Sequence, residues 1–197
     1  LRVNNLILLI IFLFLINPLY GVTFNHNLDN ANIIIEGVGW SHSGNFAYLY
    51  TATHPAAIDY GFVIINAVSD EVLFILEERH TEPINFRDNR QGQINAALNR
   101  HNIVTNPGRA EALGFTLNNI NFRVEMRGAT SYQIVIFRGN AVKSVASGTL
   151  QSGWASITPR WVVISPFERR AVIISLILKR GNVLVPKITG AHLDWGF

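Results

Sequence analysis

The stretch from Gly39 to Phe74, GWSHSGNFAYLYTATHPAAIDYGFVIINAVSDEVLF, limits the fold more than any other part of the chain. Trp40-Ser41-His42-Ser43-Gly44-Asn45 is a tight polar turn, and Phe46 to Thr53 is dense in aromatic and β-branched residues. Tyr60 to Ala67 is a second apolar run, ending in the turn Val68-Ser69-Asp70-Glu71. Branched and aromatic side chains fit a pleated surface, and turn residues at this spacing fold one run back onto the next. The stretch predicts two antiparallel strands at the centre of the domain.

The remainder carries similar punctuation. A polar stretch, Asn25 to Asn32, leads into a short strand at Ile33 to Gly37. Glu71 to Arg79 contains VLFILEER, which satisfies either period and is read as a strand. Asp88 to His101 is the most helix-like segment, with Asp88 as the cap and Ile94, Ala97, Leu98 and His101 at helical spacing. Asn106-Pro107-Gly108 ends it, and Arg109 to Leu113 reads as a further helical turn. Asn121 to Met126, Tyr132 to Phe137 and Ala141 to Ser147 then form a meander with Gly-bearing turns. Arg160 to Ile164, Ala171 to Lys179 and Thr189 to Trp195 form a last hairpin group. The expected fold is mainly β: about nine or ten antiparallel strands in hairpins and meanders, with a short helical insertion near residues 88–113. Both a sandwich and partial propeller-like blades fit this pattern. The stack is favoured because no blade period runs through the chain.

Residues 1–21 have the parts of a secretory signal: Arg2, the apolar run Leu6 to Ile16, then Asn17-Pro18 and a small Gly21. The run gives about 16 Å of helix at roughly 1.5 Å per residue, against about 30 Å of bilayer hydrocarbon. It inserts but hardly spans, so the expectation is an exported chain, periplasmic or extracellular, with a retained anchor as the alternative. Residues 22–197 are then a single β-rich domain. Zero cysteines mean that an exported domain of this kind relies on burial alone, without disulfides or thiolate metal sites.

Beyond residue 21 the chain holds 15 basic and 13 acidic residues, spread out. Nucleic-acid binding needs a dense basic face, and the densest local set, Arg169-Arg170 with Lys179-Arg180, sits at turns and strand ends. No nucleic-acid partner is expected, and the membrane is met only through the leader.

Catalytic motifs fail one by one. Gly39-Trp40-Ser41-His42-Ser43 puts Ser where a nucleophile elbow needs its second Gly. Gly37-Val38-Gly39 has His42 at the third position of a dinucleotide loop and leads into a strand. The histidines at 26, 42, 54, 80, 101 and 192 show no metal-ligand spacing, so neither metal nor cofactor is predicted. Glu78 with His80, and His192 with Asp194, share a strand face and read as ion pairs or edge hydrogen bonds.

Trp40, Tyr48, Tyr50, Tyr60, Trp154, Trp161 and Trp195 are either core filling or a ligand-stacking face; the candidate ligand-facing set is Trp40, Tyr48, Tyr50, Trp161 and Trp195. Tyr48 and Tyr50 share a face with Phe46, and Ala47 and Leu49 share the other, so one of the two must be core.

A shift of 124 positions lays Ser165-Pro166-Phe167-Glu168-Arg169-Arg170-Ala171-Val172-Ile173-Ile174 on Ser41-His42-Ser43-Gly44-Asn45-Phe46-Ala47-Tyr48-Leu49-Tyr50. Both are Ser-led polar turns feeding an apolar strand through an Ala, a pattern that resembles the S-P-D-G-K turn of periplasmic propeller blades. Two copies make no propeller. With the leader and the terminal G-A-H-L-D-W-G-F, these turns make the chain resemble a family of small secreted bacterial proteins, the group called domain of unknown function 2259. His42-Ser43 departs from the family's turn and the middle segment does not match. The resemblance implies export and a domain covering the mature chain, and carries no catalytic residue.

The function expected is a non-catalytic exported domain that binds an envelope protein or glycan. The alternative is a hydrolase of envelope or extracellular polymers, with carboxylates from Glu77, Glu78, Asp88 or Asp194 brought together by folding.

Overall fold

The computed structural model describes residues 21–28 and 30–197; the leader reading, apart from Gly21, falls on residues outside these. The first sheet is a meander of five antiparallel strands in chain order: β1 (Val22–Leu28), β2 (Ala31–Trp40), β3 (Asn45–His54), β4 (Ala57–Asn66) and β5 (Glu71–His80). Two helices follow, α1 (Phe86–Asn89) and α2 (Gln91–Arg100). The chain then lays down β6 (Arg109–Glu111) and leaves it to build a complete third sheet from β7 (Gly114–Leu117), β8 (Ile120–Arg127), β9 (Ser131–Arg138) and β10 (Ala141–Thr149). It returns through β11 (Trp154–Ile164), β12 (Arg170–Lys179) and β13 (Val183–His192), which with β6 form the second sheet in the order β13-β12-β11-β6.

Mainly antiparallel β structure with a short helical insertion is what the sequence predicts, and the differences are local. The polar run at Asn25 is β1, an edge strand that pairs only with β2 and so tolerates polar residues. Arg109 to Glu111 is strand, not helix, because it pairs with Val162 to Ile164 of β11. Among the described residues helix is confined to Phe86–Arg100, and its cap is Asn85, whose side chain accepts from the Asp88 N–H, rather than Asp88. The last strand runs from Val183 to His192, earlier than Thr189–Trp195; Pro186 fits because β13 pairs only with β12 and is an edge. Among the described residues there are thirteen strands, β1, β6 and β7 being additional to those expected from the sequence. Asn118 (φ 50°) and Asn119 (φ 61°) make the two-residue loop between β7 and β8, the positive-φ pair that suits a hairpin's twist.

The layers stack as α1–α2, first sheet, second sheet, third sheet. Ala47, Leu49, Tyr60, Phe62 and Ile64 of the first sheet meet Phe86, Ile94, Ala97 and Leu98 of the helices. The other face of the first sheet, with Ile33, Ile35, Phe46, Tyr48, Tyr50 and Val63, meets Val163, Val172, Ile174, Leu176 and Ile188 of the second. The far face of the second, with Val162, Ile164, Ile173 and Ile177, meets Phe122, Val124, Ile134 and Ile136 of the third. Both faces of β3 are therefore core, where alternation alone requires only one.

The internal echo shows how the first two sheets are related. Tyr48, Tyr50 and Ala52 pack in the same cluster as Val172, Ile174 and Leu176, their equivalents 124 positions on. Equivalent faces thus meet, whereas neighbouring propeller blades, related by rotation about one axis, present unlike faces to each other. The two Ser-led turns lie side by side, with the His42 and Phe167 rings 4.0 Å apart.

Ile64 is fully buried between the first sheet and α2. Ile64→Ala should cost about 2–5 kcal/mol by leaving a cavity. His42 is exposed, and His42→Ala should cost under about 1 kcal/mol. Urea unfolding of the two variants beside the parent checks both values.

Candidate functional site

A cleft of about 370 Å³ is lined by Tyr50, Asp59, Tyr60, Glu77, Glu78 and Arg79 of β3–β5 and by Lys179 of β12 and Val185 of β13. A larger hollow of about 510 Å³ lies on the third sheet, but Arg123 is its only ionisable lining group.

One cross-strand row builds the middle of the cleft. Tyr50, Gly61 and Glu77 stand opposite one another on β3, β4 and β5. Gly61 has no side chain, so the Tyr50 ring lies across β4 in the space a Cβ would fill. The phenol donates to Glu77 Oε1 at 2.5 Å. Burial first, and then the hydrogen bond to Glu77, push the Tyr50 hydroxyl far above the usual phenol range; burial and the Glu77 charge do the same for Tyr48. Both phenols stay protonated.

The neighbouring row is ionic. Arg79 holds Asp59 with two parallel hydrogen bonds, Nε to Oδ1 at 2.6 Å and Nη2 to Oδ2 at 2.7 Å, and the buried His54 Nε2 lies 3.0 Å from Oδ2. The arginine's hydrogen bonds hold the Asp59 carboxyl below its ordinary range. On the helix side of β5, Glu78 takes hydrogen bonds from Arg90 and from His80, the latter at 2.9 Å, and Arg90 lowers its pKa. The Tyr60 hydroxyl accepts from the Ile84 N–H at 3.1 Å, fixing the loop that carries the chain towards α1.

Register decides this chemistry. Counted back from the turn pair Asn66–Glu71, an unbroken ladder would set Asp59 opposite Glu78, two like charges. A β-bulge at Leu73 moves the register by one residue and sets Asp59 opposite Arg79 and Gly61 opposite Glu77.

Of the four carboxylates expected from sequence, Glu77 and Glu78 line the same cleft, but as neighbours on a strand they project to opposite faces. Asp88 is bound by the Asn85 amide at 2.6 Å on α1. Asp194 follows β13 and lies beside Arg169 at 3.1 Å. The aromatic candidates are dispersed. Trp40 is fully buried and donates to the Pro107 carbonyl at 3.1 Å. Tyr48 and Tyr50 are core residues; Trp161 stacks on Phe24 at 5.0 Å at the edge of that core; Trp195 is 74% exposed. The sequence reading gave no site role to Asp59, Arg79, Lys179 or His54. Arg79 lies two residues from Glu77 on the same face, but its partner depends on the bulge. Among the described residues no group of three or more His, Asp or Glu side chains is placed to hold a metal ion.

No family model, curated protein or solved structure matches the chain.

Gly61→Val should displace the Tyr50 ring and cost about 1–3 kcal/mol by overpacking; loss of the Tyr50–Glu77 contact would appear as a shifted tyrosine signal in NMR. For Asp59 the folded pKa is lowered, so its pairing stabilises the fold above the unfolded value of about 4 and is lost as pH falls through the folded value. Arg79→Gln should therefore destabilise the protein at pH 7 and flatten the acid limb of the stability curve, measured by urea unfolding between pH 2 and 7.

Proposed function

We propose that this chain is an exported, non-catalytic β domain, periplasmic or extracellular, that binds an envelope glycan or protein through the cleft at β5, and that it is a relative of the domain of unknown function 2259 group. The state of the cleft carboxylates carries the reading. Hydrolysis of a glycosidic bond needs one carboxyl held protonated near neutral pH and a second across the scissile bond. Here Asp59 and Glu78 are pulled the other way by Arg79 and Arg90, and Glu77 accepts the Tyr50 hydroxyl. Fixed, ionised acceptors beside an arginine fork and Lys179 suit recognition of a hydroxyl-rich ligand, whose O–H groups both donate and accept. The leader supports the export part of the reading.

The test is a glycan array together with crosslinked capture from the native envelope, using the parent chain and a Glu77→Gln, Lys179→Ala variant. One partner retained by the parent and lost by the variant is expected. Polymer turnover by the parent, abolished by a single carboxylate change, would establish the hydrolase instead.

A further inference from the structure

β5 is an open edge. It pairs only with β4, each of its residues is exposed or half-buried, and among the described residues no backbone group of Glu71–His80 is hydrogen-bonded outside that ladder. Native proteins blunt such an edge with proline, charge, a bulge or a covering segment, because its free N–H and C=O groups accept a further strand. The edge of the second sheet, β13, is blunted in this way: Pro186 has no N–H to offer, and the Asp70 carboxylate takes the Gly190 N–H at 2.6 Å. On β5 the bulge at Leu73 protects one end alone. Beyond it Phe74–His80 keeps an unbroken register with Ile58–Ile64 and contains no proline.

The cleft-side face of this run has a definite chemistry. Ile75, Glu77 and Arg79 alternate onto it, opposite Val63, Gly61 and Asp59. Ile75 is 52% exposed. Arg79 is neutralised by its two hydrogen bonds to Asp59, and on the other face Glu78 is answered by Arg90 and His80. Glu77 is exposed and takes only the Tyr50 phenol, through Oε1; among the described residues neither it nor Glu71 has a cation within ion-pairing distance. A largely buried hydroxyl thus holds the Glu77 carboxylate in place at the edge and leaves its charge and Oε2 open.

We infer that β5 takes a sixth strand from a basic partner protein: an extended segment, antiparallel to β5, with a lysine or arginine opposite Glu77 and a branched apolar residue opposite Ile75. This rests on the reading of the cleft as the binding site and narrows its occupant to a polypeptide. An extended backbone matches an alternating row of N–H and C=O groups, and the side chains beside it supply the choice of partner. Residues directly opposite stand about 5 Å apart, close enough for an opposite-charge pair at Glu77 and an apolar pair at Ile75. Charge disfavours a second copy of this chain in the same place. β5 carries two uncompensated carboxylates, Glu71 and Glu77, and its one arginine is held by Asp59, so two such edges would bring like charges together.

Amide NMR of the full chain, titrated with the capped peptide Thr-Thr-Thr-Lys-Thr-Val-Thr, tests the assignment; in antiparallel register its lysine meets Glu77 and its valine meets Ile75. The amide signals of Phe74–His80 should shift and their hydrogen exchange should slow. The same peptide with glutamate in place of lysine should bind at least about threefold more weakly. Glu77→Gln, which keeps an acceptor for the Tyr50 phenol, should abolish that difference, and a thermal melt confirms that the variant is folded. Two forms of the peptide, N-methylated at alternate residues, separate backbone pairing from side-chain attraction: the form methylated on the nitrogens that face β5 should not bind, and the other should. No binding of the lysine peptide, binding that leaves the β5 amides unshifted, or equal binding of the two methylated forms would overturn the inference. A partner captured by the parent and lost on Lys179→Ala would in that event still support the cleft, so the two readings fail separately.

Discussion

Burial of both faces of the first two sheets is the constraint on which the rest depends. With no disulfide available, the order of these sheets comes mainly from apolar contact, and a sheet covered on one side would leave half of that contact unused. The helices exist in this context to cover one face of the first sheet. Ile94, Ala97 and Leu98 are the buried residues of α2, and all three pack on Phe62, Ile64 and their neighbours. The third sheet covers the far side of the second in the same way. What is left uncovered follows from this arrangement: β5, the outer strand of the first sheet, has no buried residue, and the cleft forms along it.

Within the cleft a single bulge does what no side-chain pattern announces. It turns a ladder that would oppose Asp59 to Glu78 into one that opposes Asp59 to Arg79, and it places Glu77 at the end of the row where Gly61 lets the Tyr50 ring pass. Hydrogen bonding and charge then settle the protonation of the site: the phenols are held neutral by burial and the Asp59 carboxyl is held ionised by arginine.

The two Ser-led turns make a similar point at the scale of the fold. Ser41 Oγ accepts the Asn45 N–H at 2.9 Å, and Ser165 Oγ accepts the Phe167 N–H at 3.2 Å, so each serine closes its own turn. Neither is arranged as a nucleophile. Their shared function is to start two strands whose equivalent faces then pack against each other.

Strand content, most turns and the residues of α2 were legible in the sequence, because branched residues, Gly and Asn turns and a helical period act through local geometry. The even spread of charge and the absence of cysteine were equally a matter of sequence. Tertiary structure decided which faces are buried, because Tyr48 and Leu49 are both apolar enough to be core and only the layers above and below β3 show that both are. It decided that Arg109–Glu111 is a strand, since so short a segment takes its conformation from its partner in β11. It also decided the ionic rows of the cleft and the pairing of Arg169 with Asp194, because those contacts depend on a bulge and on strand returns that no local pattern encodes.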